Sequence, residues 1–264
     1  MLEFSSEQAM YWLALFMWPF VRISGFMLVA PIFGAQTVPV RIRMSMAFMF
    51  ALMVAPLLEG LPAMDLLSLA TYLMIGKQML IGLAMGFAMQ LTFQVFILGG
   101  QMIAMQMGLG FASMMDPANG ISVTVLSQFF LVTTMLLFVS MNGHTVMLQV
   151  FLESFIQIPI EHAAISSSQL WTLILSGSWL FSSALLIALP AVTAVLIVNF
   201  SFGVMTKAAP QLNVFALGFP IAMMFGLLIV WITLGDIVPQ FQRITIEGLE
   251  LMRALSPTHS GATP

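Results

Sequence analysis

The amino-acid sequence predicts an all-α integral membrane protein of about six long apolar helices, tilted or broken, with no soluble domain. Composition supports this fold class: 61% of the 264 residues are hydrophobic and only 6% are charged. An ordinary soluble domain carries roughly 25% charged residues. With a mean hydropathy of +1.07, the exterior of this chain must face lipid or other apolar subunits.

Long uncharged stretches are the second observation. They cover residues 78–115, 117–152, 162–206 and 208–235, and each exceeds the roughly 20 residues that a bilayer-spanning helix requires. Backbone amides in lipid must be satisfied by helices or closed barrels, and barrel strands are only about ten residues long. The spanning elements are therefore predicted to be helices.

Taken in order, the apolar segments lie near residues 9–33, 44–62, 66–98, 121–150, 168–199 and 214–238. We expect them to form one membrane-embedded helical domain over residues 1–264, with a short polar tail, 240–264, that is too small to bury a core. The third and fifth segments exceed a perpendicular span. They offer bending points at Gly82, Gly86, Gly177 and Pro190.

The distribution of charge does not orient these segments. Residues 1–8 contain Glu3 and Glu7 but no Lys or Arg, so no cleavable signal peptide is predicted and the first segment should be retained. Six simple crossings place three basic residues on each side of the membrane, and the positive-inside rule then gives no preference. The two sides would carry Arg41, Arg43 and Lys207 against Lys77, Arg243 and Arg253.

Several function classes are disfavoured by absent patterns. No HExxH, GxSxG, phosphate-loop or complete dinucleotide motif occurs, so no enzyme activity and no cofactor are predicted. A net charge of -3 gives no basic footprint for nucleic acid. The chain has no cysteine, and His144, His162 and His259 show no ligand spacing, so no metal site is predicted.

Charged residues inside apolar segments are costly and suggest function. Arg22 lies within an uninterrupted apolar run and should need a buried partner or an aqueous cavity. Lys77 is a second candidate buried charge. Lys77 and Lys207 can instead end helices and extend their ammonium groups to an interface, and we favour this structural role for both.

The segment from Gly108 to Gly120 interrupts the apolar pattern with glycines, Asp-Pro and Asn-Gly, which predicts a break in the helix. Such a loop either connects two helices outside the bilayer or lines a cavity. Methionine supplies 25 residues, and flexible thioether chains near the loop suit a compliant seal, although core packing is the commoner role. The neighbouring methionines are Met102, Met105, Met107, Met114 and Met115.

Three clusters together resemble the FliR family over nearly the whole chain. The first contains Gly110-Phe-Ala and Asp116-Pro117, and the second is Asn142-Gly143-His144. The third is the most specific, running from Ala209 through Pro210, Gln211, Asn213 and Phe215 to Gly218 and Pro220.

The resemblance implies a flagellar type III export-gate subunit in the bacterial inner membrane, within the flagellar basal body. One copy would assemble with several FliP and FliQ chains, contact FlhB and membrane lipid, and pass unfolded flagellar substrates. The family's tilted helical hairpins, raised partly out of the bilayer, would explain the undecided orientation. Its plug-like loop falls on Gly108, Gly110, Phe111, Met114, Met115, Asp116, Pro117 and Gly120.

Further residues are assigned by the same resemblance to a structural or assembly motif: Asn142, Gly143, His144, Lys207, Pro210, Gln211, Asn213, Phe215, Gly218 and Pro220. Lys207 stands where we expect many relatives to carry Arg. A secondary transporter or ion channel remains the alternative function, with ion chemistry at Arg22, Lys77, Asp116 and Asp236. A purely structural nucleus is a third possibility.

Overall fold

The computed structural model describes residues 6–35, 38–58, 68–109, 124–161, 166–208 and 214–256. Within these residues the chain forms helices and no strand, which confirms the all-α fold class. The α-helices, in chain order, are α1 Ser6–Val29, α2 Val40–Val54, α3 Leu69–Gln106, α4 Val125–Ser140, α5 Gly143–Gln157, α6 Ser167–Ala208, α7 Val214–Thr233 and α8 Ile237–Ala254. Short 3-10 turns cover Ala55–Leu57 and Leu234–Asp236.

The residues group into two compact units. The first unit contains Met1–Leu91, Gly143–Ser176 and Ile246–Pro264, and the second contains Thr92–Asn142 and Gly177–Thr245. The expectation of a single membrane-embedded domain stays a prediction.

Close backbone contact between α1 and α3 organises the first unit. A Cβ atom at Gly25 would lie 2.6 Å from the carbonyl oxygen of Met79, and one at Gly86 would lie 2.9 Å from that of Phe26. Gly82 faces the carbonyl oxygen of Arg22. Because only glycine leaves this space free, the two helices pack backbone against backbone, as small residues allow in membrane helices. The ring of Phe26 also stacks on Phe151 of α5, with centroids 4.1 Å apart.

Aromatic and small residues also pack the second unit. Phe93 of α3 meets Phe138 of α4 edge to face, with centroids 5.2 Å apart. A Cβ atom at Gly99 would lie 3.3 Å from the carbonyl oxygen of Ala184 in α6. α3 therefore contacts α4 and α6 through adjoining turns.

The described helices include five that are long and apolar enough to cross a membrane, or six if the bent pair α4 and α5 counts as one span. This agrees with the predicted number of about six. α3 has 38 residues and α6 has 42, so both exceed a perpendicular crossing, as predicted. Both are continuous through the glycines and the proline that were expected to offer bends.

Two predicted boundaries differ from the structure. The segment predicted at 121–150 is divided between α4 and α5, because Asn142 adopts a left-handed conformation with φ of 56°. The stretch predicted as a polar tail from residue 240 forms most of α8, which continues to Ala254. Apolar residues recur on one face of α8 and are buried, among them Phe241, Ile244 and Met252.

Candidate functional site

The predicted plug loop is only partly within the described residues. Gly108 is described, whereas Gly110, Phe111, Met114, Met115, Asp116, Pro117 and Gly120 lie outside the described residues. The structure describes the two ends of the chain that flank this loop. One is the end of α3 with the turn to Leu109, and the other is the start of α4 at Thr124.

α3 ends in a left-handed turn at Gly108, whose φ is 80°. The Gly108 N–H donates to the carbonyl of Met105 at 3.0 Å, and the Leu109 N–H donates to that of Ala104 at 2.9 Å. These bonds satisfy carbonyls that a helix end would leave free. A Cβ atom at Gly108 would lie 2.5 Å from Cε2 of Phe219 in α7. The positive φ therefore favours glycine here, and any larger residue would also displace the ring of Phe219.

The start of α4 is fixed against α3. Thr124 caps the helix, because its side chain accepts from the Ser127 N–H at 3.3 Å. The Ser127 hydroxyl lies 3.0 Å from the Ile97 carbonyl and 3.2 Å from Oε1 of Gln101. A Cβ atom at Gly100 would lie 2.9 Å from Cα of Ser127. The beginning of α4 is thus held against the last three turns of α3.

The three described methionines of the predicted seal have different environments. Met107 is 1% exposed, and its Sδ would lie 2.8 Å from a Cβ atom at Gly226 of α7. Met105 is 63% exposed, and Met102 is half-buried. Met107 is therefore part of the packed core, whereas Met105 is exposed within the part of the chain that the structure describes.

The predicted C-terminal motif is also only partly described. Lys207 is exposed at the end of α6, while Pro210, Gln211 and Asn213, together with the side chain of Phe215, lie outside the described residues. Gly218 is buried and Pro220 is exposed in α7. Phe219, which sequence analysis did not single out, makes the contact with Gly108. Its position between the motif residues Gly218 and Pro220 was the signal by which the sequence could have identified it. Through Phe219, the structure brings the predicted C-terminal motif next to the start of the predicted plug loop at Gly108.

The second predicted motif lies at a helix break. Asn142 ends the second unit's segment, and its N–H donates to the Val139 carbonyl at 3.1 Å. Gly143 begins α5. Nδ1 of His144 is buried without a hydrogen-bond partner among the described residues. Within those residues no group of three or more His, Asp or Glu side chains is arranged to hold a metal ion.

Arg22 is the most buried charge among the described residues of the first unit, at 0% exposure. Its Nε donates to Oε1 of Gln78 at 2.6 Å, and its two terminal nitrogens donate to the carbonyls of Ser154 at 3.0 Å and Ile158 at 2.9 Å. The guanidinium carbon lies 4.5 Å from the ring centroid of Phe155.

These acceptors explain how a cation is kept inside an apolar unit. Both carbonyls lie at the C-terminal end of α5, where the helix dipole is negative. The planar guanidinium reaches them together with Gln78 in α3, as a lysine could not. Arg22 therefore connects α1, α3 and α5 through its three hydrogen bonds.

Lys77 and Asp236 do not join this cluster. Lys77 lies inside α3 and is exposed, so it is neither a buried charge nor the end of a helix, and both expectations for it are wrong. Asp236 is exposed in the 3-10 turn that precedes α8.

Comparisons with known proteins match most of the chain. The profile of a family described as bacterial export proteins, family 1, matches residues 13–248. The chain is 33% identical over 254 residues to the flagellar biosynthetic protein FliR of Escherichia coli (strain K12), with 96% of each chain covered. It is 33% identical over 252 residues to that of Pectobacterium carotovorum subsp. carotovorum, again with 96% of each covered. For Bacillus subtilis (strain 168) the identity is 28% over 247 residues, covering 91% of this chain and 95% of the relative.

Proposed function

The chain belongs to the bacterial export proteins, family 1, and we propose that it is a core subunit of the flagellar type III export gate that helps to form and plug the export pore. Its role in flagellar protein export follows from the family, and its long apolar helices make it a membrane protein. In this gate the chain lies in the bacterial inner membrane, within the flagellar basal body. Unfolded flagellar proteins are the cargo.

The observation that supports the plug proposal is the close packing of the two described ends of the chain that flank residues 110–123 in sequence. Gly108 ends α3 in a left-handed turn beside the ring of Phe219, and Thr124 caps a helix that Ser127 joins to α3. A loop between such ends can block a pore without moving the helices that carry it. Phe111, Met114 and Met115 would supply the apolar obstruction, and Met105 would add to the seal from the end of α3.

Exposed apolar surface supports an assembly. In α2, Met49 and Met53 are 65% and 68% exposed, and Leu57 in the turn that follows is 79% exposed. Lipid or partner helices must cover such a surface. The proposed partners are several FliP and FliQ chains and FlhB, with one copy of this chain in each gate.

A transporter or channel is the weaker alternative. The buried charge that most suggested ion chemistry, Arg22, donates to an amide and to two backbone carbonyls, an arrangement that stabilises packing. Neutralising Lys77 and Asp116 separates these functions. A transporter would lose ion coupling, whereas a structural nucleus would lose complex yield with no change in any flux.

The gate proposal is tested by deleting residues 110–116. Because α3 and α4 remain fixed to each other, the complex should still assemble, while ion leakage across the membrane rises. A deletion of equal length at the C-terminus, residues 258–264, serves as the control and should leave leakage unchanged. Normal complex yield with unchanged leakage after the first deletion would refute the plug.

A further inference from the structure

A groove of about 490 Å³ lies within the first unit, along one face of α3. Lys77, Leu80, Ala84 and Phe87 of α3 line it, and Leu170 and Leu173 of α6 form part of the opposite wall. The α3 residues are spaced three, four and three apart, which places them in one row on a helix. The groove therefore runs along one face of α3.

The lining of the groove is polarised along its length. Among the described residues that line it, Lys77 is the charged one and stands at one end of the α3 row, and Phe87 stands at the other. They are ten positions apart, which corresponds to about 15 Å at the helical rise of about 1.5 Å per residue. One leaflet of a bilayer is also about 15 Å deep, as half of a hydrocarbon core of about 30 Å. A cation at one end and apolar side chains over a leaflet's depth match a phospholipid.

Lys77 is available for such a ligand. It lies eight residues after the start of α3 at Leu69, and its side chain is exposed. Among the described residues, no hydrogen bond or ion pair engages its ammonium group. A lysine within an apolar helix extends its charge toward the lipid headgroups, where an anionic phosphate would be its natural counter-ion.

We propose that this groove binds one acyl chain of an anionic phospholipid, with the Lys77 ammonium contacting the headgroup phosphate. Leu80, Ala84 and Phe87 contact the chain along α3. The opposite polarity of the groove's ends fixes the direction of the lipid, headgroup at Lys77 and chain end at Phe87. This site requires only that the chain lies in a membrane, so it stands independently of the plug.

The test counts lipids that remain bound to the full chain. The protein is extracted in mild detergent with any subunits that stay attached, and is incubated with phosphatidylglycerol or with phosphatidylcholine of the same acyl chains. Native mass spectrometry then measures the bound lipid. Lys77→Gln is compared with Arg41→Gln, which removes an exposed charge from α2 outside the groove. Leu80→Trp, at a position 58% exposed, obstructs the groove without disturbing the core.

The original chain should retain phosphatidylglycerol in preference to phosphatidylcholine. Lys77→Gln should lower the retained phosphatidylglycerol about fivefold, as expected for one cation near an anionic headgroup, whereas Arg41→Gln should not. Leu80→Trp should reduce retention of both lipids. Equal retention in all variants overturns the site, and equal retention of the two lipids overturns its anionic specificity. A partner subunit's helix in the groove, seen as a complex without bound lipid, also overturns the proposal.

Discussion

Replacing Arg22 with methionine should destabilise the first unit strongly. The substitution removes three hydrogen bonds from buried acceptors while filling much of the same volume. The Ser154 carbonyl keeps the N–H of Ile158 as a partner at 2.8 Å, whereas Oε1 of Gln78 and the Ile158 carbonyl lose the donors found here. Each unsatisfied buried acceptor costs about 1–3 kcal/mol, so we expect a loss of about 3–5 kcal/mol, including the contact with Phe155.

The measurement is unfolding of the full chain in detergent micelles by titration with a denaturing detergent. Trp18 is 1% exposed one turn before Arg22, so exposure of Trp18 contributes to the fluorescence change of the five tryptophans. Arg22→Lys should recover only part of the loss, because an ammonium cannot serve the three acceptors in one plane. Arg41→Met, at an exposed position, should change stability by less than about 0.5 kcal/mol. Equal stability of the Arg22→Met and Arg41→Met variants would refute the structural role of Arg22.

Two further substitutions test the helix contacts. Gly82→Ala should destabilise the chain, because a Cβ atom would meet the Arg22 carbonyl and lie 2.8 Å from the Phe26 nitrogen; Gly76→Ala in the same helix, with open space around it, should be neutral or stabilise by up to about 1 kcal/mol. If both variants unfold alike, the close approach is wrong. Thr124→Val should cost about 1 kcal/mol through the lost cap, measured by the same titration, whereas Thr133→Val, which removes an exposed bond to the Phe129 carbonyl, should cost less.

The fold class followed from composition because lipid leaves the backbone few options. Helix ends were harder to predict. The Asn142-Gly143 pair carries an ordinary turn signal, but apolar residues on both sides gave 121–150 the pattern of one span. α8 was missed because its apolar residues recur on one face only, and a polar average over residues 240–264 hides that periodicity.

The partners of Arg22 show what a single sequence leaves open. The apolar run around Arg22 predicted that its guanidinium, if buried away from water, needs a hydrogen-bond partner. The partners themselves lie 56, 132 and 136 residues away in the chain. Two of them are backbone carbonyls, which no residue type identifies. The local sequence therefore predicts that a buried charged side chain requires hydrogen-bond partners, whereas the identity of those partners depends on tertiary packing.

The glycines of α3 and the buried arginine are parts of one arrangement. Gly82 was interpreted as a possible bend, yet α3 continues through it, and its missing side chain admits the Arg22 carbonyl. Without that close approach α1 would lie farther from α3, and the guanidinium would be drawn away from Gln78 and from the end of α5. The contact between the backbones of α1 and α3 thus sets the distance from the Arg22 guanidinium to its hydrogen-bond acceptors. An apolar unit can contain Arg22 because Gly82, four residues after Gln78, lets α1 approach α3 closely enough for Arg22 to reach its acceptors.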